Sequence, residues 1–217
     1  MKILLATGNR HKVSEITDIL RSASPGRGHG DARASGGAPA CSDADMELVS
    51  LKDFPRLPAV VEDGQTLEEN AVKKAVLPAM ALGLWTLADD TGLEVDALGG
   101  APGVLSARFA GPACDFDANC RKLLARMRGV AAPERRALFR CVVALASPDG
   151  TVRIKEGRLE GEIVDAPAGT SGFGYDPVFF VSDLGKTLAE LPSEEKNRIS
   201  HRARALDAIR PLLKELW

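Results

Sequence analysis

Two adjacent carboxylates, Asp89 and Asp90, are the residues whose types and spacing suggest chemistry most directly. They follow an apolar run and precede Thr91-Gly92, a pairing typical of a tight turn at the end of a buried strand. Asp also favours turns because its side chain bonds the local backbone, so a purely structural explanation exists. Carboxylate oxygens held together at a strand end are also good ligands for a divalent cation. We therefore expect a metal corner here, with Asp89 either orienting the turn or acting behind Asp90.

A third carboxylate, Glu62, lies in the stretch VVEDGQTLEEN, just before a glycine turn and a helix start. Acidic residues are common in the first turn of a helix for electrostatic reasons, which accounts for Glu68 and Glu69. Glu62 lies outside that helix and is not explained in this way. It is therefore a candidate metal ligand.

The stretch TGNRHK, Thr7 to Lys12, lies where the first strand gives way to the first helix. Backbone N–H groups at a helix N-terminus attract anions, and Asn9 and Lys12 add an amide and a positive charge. Neither a Walker A motif nor a Gly-x-Gly-x-x-Gly motif is present. A phosphate loop and an Asn-capped turn with a solvated lysine both remain open.

The stretch GTSGFGYDPVFF contains three glycines around Phe173, Tyr175 and Asp176. Core strands rarely contain so much glycine, so we expect a loop. An aromatic face beside a carboxylate suits a flat heterocycle with hydrogen-bonding edges. The alternative is a glycine-rich hairpin with structural aromatic residues.

Near the C-terminus, Ser200 is a plausible helix N-cap that puts His201 and Arg202 in the first helical turn. Cations are disfavoured there by roughly 0.3–1 kcal/mol each. An electron-rich ligand at the helix start would offset this cost. A solvated basic turn is the alternative explanation.

The elements that must position these residues follow from hydrophobic periodicity. MKILLATGN predicts a buried strand, and HKVSEITDILRS predicts a helix with Val13 and Ile16 on its apolar face. A second helix should begin after Thr66, which together with Glu69 forms a capping box. Lys74 lies in line with the apolar face of that helix, and either reaches back to solvent or has a functional role.

The order of these elements indicates the fold class. Further helices are predicted in CDFDANCRKLLARMRG and in the C-terminal stretch, where Pro211 should interrupt or kink the helix. The stretch RALFRCVVALASPDGTVRIKEGRLEGEIV predicts two or three antiparallel strands. Helices alternating with strands, followed by a meander, favour an α/β fold with a mixed sheet.

Composition limits the class of protein. The 217 residues carry a formal net charge of −2, with 45% hydrophobic and 27% charged residues, as in an ordinary globular protein. We expect neither nucleic acid nor membrane as a partner, because no general positive charge attracts them. The four cysteines match no zinc or disulfide signature, and the apolar N-terminus is too short for a signal peptide, so we expect a cytoplasmic protein.

One segment differs from the rest. Of the 24 residues from Ser22 to Asp45, 17 are Gly, Ala, Ser or Pro, and none is Leu, Ile, Val, Met or aromatic. Such a segment buries too little apolar surface to offset its ordering entropy. We expect a single domain over residues 1–217 with a flexible insertion at 22–45.

The candidate residues combine into one kind of site. An acidic cluster, dispersed cations and an aromatic loop with a carboxylate are the parts of a site for Mg²⁺, polyphosphate and a base. The cations are Lys12, Lys74, Lys196 and Arg202.

With these motifs, the chain resembles the inosine-triphosphate pyrophosphatase family, which hydrolyses dITP, ITP and XTP to the monophosphate and pyrophosphate. The resemblance rests on LLATGNRHKVSEI, EDGQTLEENAVKKA, DDTGLEVDALGGAPGVLSARFAG, GFGYDPVFF and KNRISHRARAL. It implies a long mixed sheet with flanking helices that form two lobes around a central cleft, usually as a homodimer.

The resemblance also implies roles for individual residues. Glu62 and Asp90 would hold Mg²⁺, and Asp90 would also be the catalytic base. The substrate-binding residues would be Thr7, Gly8, Asn9, Arg10, His11, Lys12, Lys74, Thr91, Phe173, Gly174, Tyr175, Asp176, Lys196, His201 and Arg202. Phe173 would stack on the purine, and Arg202 or His201 would donate to its 6-oxygen. His11 stands where glycine is common in the family.

Two other functions remain open at this stage. One is a metal-dependent pyrophosphatase that acts on pyrimidine or methylated nucleotides, which a substrate panel would separate. The other is a binding module that holds Mg²⁺ and nucleotide without turnover, which substitution of Asp90 would test.

Overall fold

A computed structural model describes residues 1–22 and 46–216. It contains eight strands and five α-helices in this part of the chain. The strands are β1 Lys2–Leu5, β2 Glu47–Ser50, β3 Trp85–Val95, β4 Pro102–Gly103, β5 Arg136–Ala146, β6 Val152–Ile163, β7 Phe179–Val181 and β8 Lys186–Thr187. The helices are α1 Arg10–Arg21, α2 Leu67–Leu82, α3 Phe116–Arg126, α4 Ser193–Ile199 and α5 His201–Lys214.

The strands form one mixed sheet in the order β2-β1-β3-β5-β6-β7-β8, with β4 paired to β3. β1 pairs in parallel with β2 and β3, whereas the pairs from β3 through β8 are antiparallel. The expected α/β fold with a long mixed sheet and flanking helices is therefore confirmed. The predicted antiparallel strands of the meander are β5 and β6.

Helices cover both faces of the sheet. On one face, α1 and α5 pack apolar side chains such as Ile16, Leu206 and Ile209 against β1, β3 and β5. On the other face, α2 packs Ala71 and Ala75, both without exposed surface, onto Ala144 of β5. Small side chains allow a helix backbone to approach the sheet closely, so α2 is held near β3 and β5.

The local signals at helix ends are largely confirmed. Thr66 accepts a hydrogen bond from the Glu69 backbone N–H at 3.1 Å, as a cap should. The Glu69 carboxylate accepts from the Gln65 N–H instead of the Thr66 N–H, so the expected capping box is only half formed. Ser200 caps α5 by accepting from the Ala203 N–H.

The predicted turn at Thr91-Gly92 is wrong, and so is an interruption of the helix at Pro211, whereas a kink there stays a prediction. α5 continues through Pro211 to Lys214 without interruption. Thr91 and Gly92 do not turn, because β3 runs through them to Val95 while it pairs with β5 over ten consecutive residues. The ladder hydrogen bonds of this pairing outweigh the local turn preference of Asp-Thr-Gly.

The remaining expectations concern parts of the chain that carry no site residue. The proposed insertion lies outside the described residues except for Ser22, which ends α1. Cys114, Cys120 and Cys141 are free thiols, whereas Cys41 lies in the segment that is not described. None of the described helices combines the length and the hydropathy needed to span a bilayer.

Candidate active site

The candidate site lies where β1 ends and β3 continues. β1 pairs with β3 only as far as Leu5 and Leu87, after which the chain turns away at Thr7 into α1. The edge of β3 from Ala88 to Gly92 is therefore open on that side, because β4 is the only strand in the described part of the chain that pairs there, and it pairs with Leu93 and Glu94. This open edge exposes both faces of β3 to a single cleft.

A cleft of about 650 Å³ occupies this position, which is within the range of small-molecule sites. It brings together fifteen of the seventeen residues expected at the site. They are Thr7, Gly8, Asn9, Lys12, Glu62, Lys74, Asp90, Thr91, Phe173, Gly174, Tyr175, Asp176, Lys196, His201 and Arg202. Arg10 and His11 are exposed and do not line it.

His11 contacts the site indirectly. Its imidazole stacks on the Phe173 ring, with a centroid distance of 5.3 Å and an interplanar angle of 22°. The first turn of α1 and the loop expected to bind the base therefore contact each other at this stack.

The adjacent aspartates Asp89 and Asp90 lie in the middle of β3, so their expected position at the end of a strand is wrong. Successive side chains of a strand point to opposite faces. Asp90 faces α2, whereas Asp89 faces α1 and α5. The two carboxylates consequently belong to two different charge clusters.

The first cluster contains two carboxylates, Glu62 and Asp90, and the Lys74 ammonium that they share. We call the two carboxylates together with this ammonium the acid pair. The Lys74 ammonium donates to Glu62 at 2.9 Å and to Asp90 at 2.8 Å, and Asn70 donates to Asp90 at 3.3 Å. Lys74 is only 8% exposed, so its amine does not reach back to solvent. Two carboxylates share one ammonium, which leaves one negative charge uncompensated within the acid pair.

The protonation of the acid pair reflects burial and charge. Burial raises the pKa of Asp90 above its ordinary value, and repulsion from Glu62 adds to this, although Lys74 and Lys12 oppose it. For Glu62, burial is again the largest single effect and raises the pKa, but the charge and hydrogen bond of Lys74 together with the charge of Lys12 outweigh it, and the pKa of Glu62 is lowered. Asp90 is therefore the stronger base of the two.

The second cluster, which we call the cation network, lies on the other face of β3. It pairs three cations with three carboxylates, namely Lys12, Lys196 and Arg202 with Glu15, Asp89 and Asp176. The formal charges of this network balance. Of the two cations that we expected at the N-terminal turn of α5, Arg202 is thus offset by carboxylates of the protein itself.

Lys196 and Arg202 meet at Glu15 and also lie over the Phe173 ring. Glu15 of α1 accepts from Lys196 at 2.6 Å and from Arg202 at 2.5 Å. The Lys196 ammonium is 4.9 Å from the Phe173 centroid, and the Arg202 guanidinium carbon is 5.5 Å from it. Such cation–π contacts fix the orientation of the ring in the cleft.

The glycine-rich loop is shaped around Asp176. Gly172 has φ +74°, and a Cβ there would lie 2.1 Å from the Asp176 carboxylate, so the position requires glycine. Asp176 accepts from the Phe173 backbone N–H at 2.7 Å and from Lys196 at 2.5 Å. Tyr175 is buried and donates to the Ser106 carbonyl at 2.8 Å. The aromatic pair therefore divides its roles, with Phe173 on the cleft and Tyr175 holding the loop.

His201 is buried against the cleft and stacks on Phe139 with a centroid distance of 4.4 Å. Burial lowers the pKa of His201 well below its ordinary value, and the nearby charges of Arg202 and Lys196 lower it further. Its Nδ1 atom is buried without a hydrogen-bond partner. A neutral imidazole can donate from one nitrogen and accept at the other.

Several site residues were not predicted from the sequence. Glu15 and Asn70 hold other site residues. Asn70 lies with Lys74 on the apolar face of α2, which is a signal in the sequence, whereas nothing in the first helix distinguishes Glu15 from a solvated polar position. One wall of the cleft is apolar and is formed by the irregular segment before Glu62, from which Leu51, Phe54, Pro55, Leu57, Pro58, Ala59 and Val60 line the cleft. Irregular segments have no periodicity, so no pattern could have indicated this wall.

A family model described as the Ham1 family matches residues 3–212 of this sequence. The chain belongs to the Ham1 family. Among curated relatives, the dITP/XTP pyrophosphatase of Geobacter sulfurreducens is 49% identical over 205 residues, covering 94% of this chain and 92% of the relative. The dITP/XTP pyrophosphatase of Desulforamulus reducens is 44% identical over 217 residues, covering 100% of this chain and 98% of the relative. These matches confirm the resemblance inferred from the motifs.

Solved structures of Ham1 proteins also match the fold. The Ham1 protein of Staphylococcus aureus has a TM-score of 0.80 at 35% identity, covering all of both chains. The nucleoside-triphosphatase/dITP/XTP pyrophosphatase of Mycobacterium abscessus has a TM-score of 0.72 at 41% identity, covering 97% of this chain and 100% of that chain. The mixed sheet and its flanking helices are therefore the Ham1 fold.

Proposed function

We propose that this protein is a nucleoside-triphosphate pyrophosphatase that hydrolyses dITP, ITP and XTP to the nucleoside monophosphate and pyrophosphate. The observation that carries the proposal is the cleft at the open edge of β3, where the acid pair and the cation network face the same space. One side suits a metal–phosphate centre, and the other suits a planar base. The names of the curated relatives, dITP/XTP pyrophosphatase, support this choice of substrate.

Glu62 and Asp90 would hold a divalent cation, for which we propose Mg²⁺. The donor set fits this ion, since both residues offer hard carboxylate oxygens and the acid pair carries one uncompensated negative charge. Mg²⁺ is commonly bound through one or two carboxylates together with substrate phosphates. When bound, such an ion polarises phosphate oxygens and lowers the pKa of a bound water.

Asp90 accepts the proton of the attacking water in this proposal. Its raised pKa supports the assignment, because a base is more effective when its pKa lies closer to the working pH. Lys74 holds Asp90 and Glu62 in place and neutralises charge on the phosphates. Asn70 orients the Asp90 carboxylate from the other side.

The phosphates bind at the turn from Thr7 to Lys12. Asn9 caps α1 by accepting from the His11 N–H at 2.9 Å, and Asn9 and Lys12 of this turn line the cleft. N–H groups at a helix N-terminus favour anions. Lys12 supplies a positive charge from the same turn, and Thr91 lines the site opposite it.

The purine stacks on Phe173 in this proposal, and the 6-position is recognised by donors. Arg202 is engaged by Asp89, Glu15 and Thr91, so it presents a fixed guanidinium. The neutral His201 lies beside it and can donate to a 6-oxygen, whereas the 6-amino group of adenine would leave such a donor unpaired. An unpaired buried group can reduce the rate by orders of magnitude.

The site of bond cleavage can be tested directly with isotopic water. In H₂¹⁸O, attack at the α-phosphorus of dITP puts the label in the monophosphate, whereas attack at the β-phosphorus puts it in pyrophosphate. We expect the label in the monophosphate. Release of inorganic phosphate together with a nucleoside diphosphate would contradict the proposed reaction.

We also propose that the protein acts in the cytoplasm and as a homodimer, as the family resemblance implies. Light scattering of the purified protein tests the second point. A mass corresponding to one 23.0 kDa chain would contradict it.

A further inference from the structure

Asp89 is a buried carboxylate that the proposed reaction does not use. Its residue is 1% exposed, and it faces the opposite side of β3 from Asp90. Carboxylates are almost never fully buried unless they are paired. The reason for its presence must therefore lie in its partners.

All the described polar contacts of Asp89 converge on one oxygen. Oδ2 accepts from the Lys12 ammonium at 2.9 Å and from Arg202 Nε and Nη2 at 3.3 and 3.2 Å. It also accepts from the Thr91 hydroxyl at 3.1 Å and, more weakly, from the Cys141 thiol at 3.9 Å. The other oxygen, Oδ1, is buried and has no hydrogen-bond partner among the described residues.

Lys12 and Arg202 come from different elements and serve different ends of the cleft. Lys12 is in the first turn of α1, at the proposed phosphate site, and Arg202 is in the first turn of α5, beside Phe173. The Asp89 Oδ2 atom contacts both side chains and so connects the two ends of the cleft. The Thr91 hydroxyl strengthens the link, because it donates to Asp89 and accepts from Arg202 at 3.1 Å.

We propose that Asp89 is a positioning residue that anchors Lys12 and Arg202 together and so fixes the distance between the phosphate and base ends of the cleft. This inference rests on the proposed function for the identity of those two ends. Asp89 touches neither substrate nor metal in this account. It acts only through the two cations.

An ion pair that served only the fold would have a different signature. Its loss would lower stability without altering how the folded protein binds ligands. A positioning carboxylate affects both halves of the ligand, since each half depends on one of its partners.

The test is Asp89→Asn, which keeps the shape and removes the charge. We expect the KM for dITP to rise by about tenfold or more, because charge-assisted contacts are lost from groups that bind the substrate. The kcat should change by less than about threefold, since binding weakens equally in the ground state and the transition state. In calorimetry, the affinities for pyrophosphate and for inosine monophosphate should both fall.

Cys141→Ala is the matched structural control. Cys141 is fully buried in β5, and its thiol is a weak donor to Asp89 Oδ2 at 3.9 Å, so the substitution disturbs packing and one weak contact at the same place but leaves both ion pairs of Asp89 intact. We expect lower thermal stability and unchanged KM. An equal rise in KM for both variants would overturn the proposal, as would a fall in affinity for only one of the two ligands.

A double-mutant cycle tests the link to Lys12. Lys12→Gln should raise the KM for dITP less in the Asp89→Asn background than in the wild-type background, because the pair acts as a unit. Additive effects would contradict the proposal.

A measurement on the wild-type chain covers the case in which Asp89→Asn does not fold. The ¹³C resonance of the Asp89 carboxyl, assigned through its own backbone, should shift on addition of pyrophosphate and also on addition of inosine. A resonance that shifts with neither ligand, or with only one of them, would overturn the proposal that Asp89 anchors Lys12 and Arg202 together. Absence of pyrophosphate release from dITP and XTP by the wild-type protein would instead refute the proposed function, so the two failures are distinguishable.

Discussion

At the scale of single residues, the central assignment is Asp90 as the base that accepts a proton from water. We predict that Asp90→Asn lowers kcat for dITP by about 10²–10⁴-fold, the range expected for removal of a general base. The fold should persist, because the single oxygen of Asn can still accept from Lys74, and only the longer contact with Asn70 is lost. Steady-state kinetics together with far-UV circular dichroism would check both statements.

The matched control for this prediction is Asp96→Asn. Asp96 follows the end of β3 and is exposed, away from the cleft. Its activity should equal that of the wild type. Near-normal turnover of the Asp90 variant would refute the assigned role.

The stack between His11 and Phe173 gives a second prediction at this scale. His11→Ala removes a ring that holds Phe173 from outside the cleft, and aromatic pairs of this kind are worth about 0.5–1.5 kcal/mol. We therefore expect the KM for dITP to rise by roughly two- to tenfold. Arg10→Ala, in the same exposed turn, is the comparison, and similar effects of both changes would mean that the stack itself is unimportant.

At the scale of elements, the contact between α5 and β6 positions His201 and Arg202. A Cβ on Gly157 would lie 2.1 Å from the His201 carbonyl oxygen and 2.3 Å from the Ala205 nitrogen. Both atoms belong to the helix backbone, so a side chain at this position can be accommodated only if α5 moves.

We predict that Gly157→Ala destabilises the protein by about 1–3 kcal/mol, the usual cost of overpacking. The KM for dITP should rise as well, because the shift displaces the first turn of α5 and its two site residues. Chemical denaturation and kinetics would measure these effects. Glu160→Ala, at an exposed position of the same strand, should change neither the free energy of unfolding nor the KM for dITP. Wild-type values of both for Gly157→Ala would show that the position of α5 does not depend on this close approach.

The elements also show what the sequence could and could not predict. Periodicity and caps predicted α2 from Thr66 and α5 from Ser200, because these signals are local. The prediction of a turn after Asp90 was wrong, because the long pairing of β3 with β5 is a tertiary interaction, and local residue preferences carry no information about it. The side of β3 on which each aspartate lies could not be inferred without that pairing.

The site residues likewise divide into those that local motifs predict and those that depend on distant contacts. The site residues predicted from the motifs line the cleft, with Arg10 and His11 as the exceptions, but the motifs did not predict its apolar wall between Leu51 and Val60. They did not predict that Glu15 bridges Lys196 and Arg202, because its partners are distant in sequence and meet it only when α1 packs beside α4 and α5. Whether each residue acts as assigned stays a prediction.

At the scale of the whole molecule, buried charge links stability to pH. Arg140 donates to Glu156 at 2.8 Å and also pairs with Glu68 and Glu94, so it joins α2, β3 and β6. Hydrogen bonds from Arg140 hold the pKa of Glu156 at about 2, below its ordinary value of 4.5. A lowered folded-state pKa means that this carboxylate stabilises the fold above pH 4.5 and loses that contribution as the pH falls toward 2.

We therefore predict that Glu156→Gln is less stable than the wild type at pH 7 and that the difference shrinks as the pH falls through this range. The difference should not exceed about 1 kcal/mol, because solvent screens a partly exposed pair. Urea unfolding at several pH values would measure it. Glu160→Gln provides the exposed control, and a difference that grows toward low pH would contradict the assignment.

The claim on which the whole account depends is the choice of substrate. The most direct measurement is pyrophosphate release with Mg²⁺ from dITP, XTP, dATP, dGTP and dTTP, side by side at equal concentration. We predict rapid release from dITP and XTP, and release slower by orders of magnitude from dATP, whose 6-amino group leaves the donors unpaired, and from dTTP, which has no purine to stack on Phe173. Because dGTP also carries the 6-oxygen, slow release from dGTP would depend on exclusion of its 2-amino group. Rapid release from dATP or dTTP, or from none of the five, would contradict the assignment of the base-binding end of the cleft.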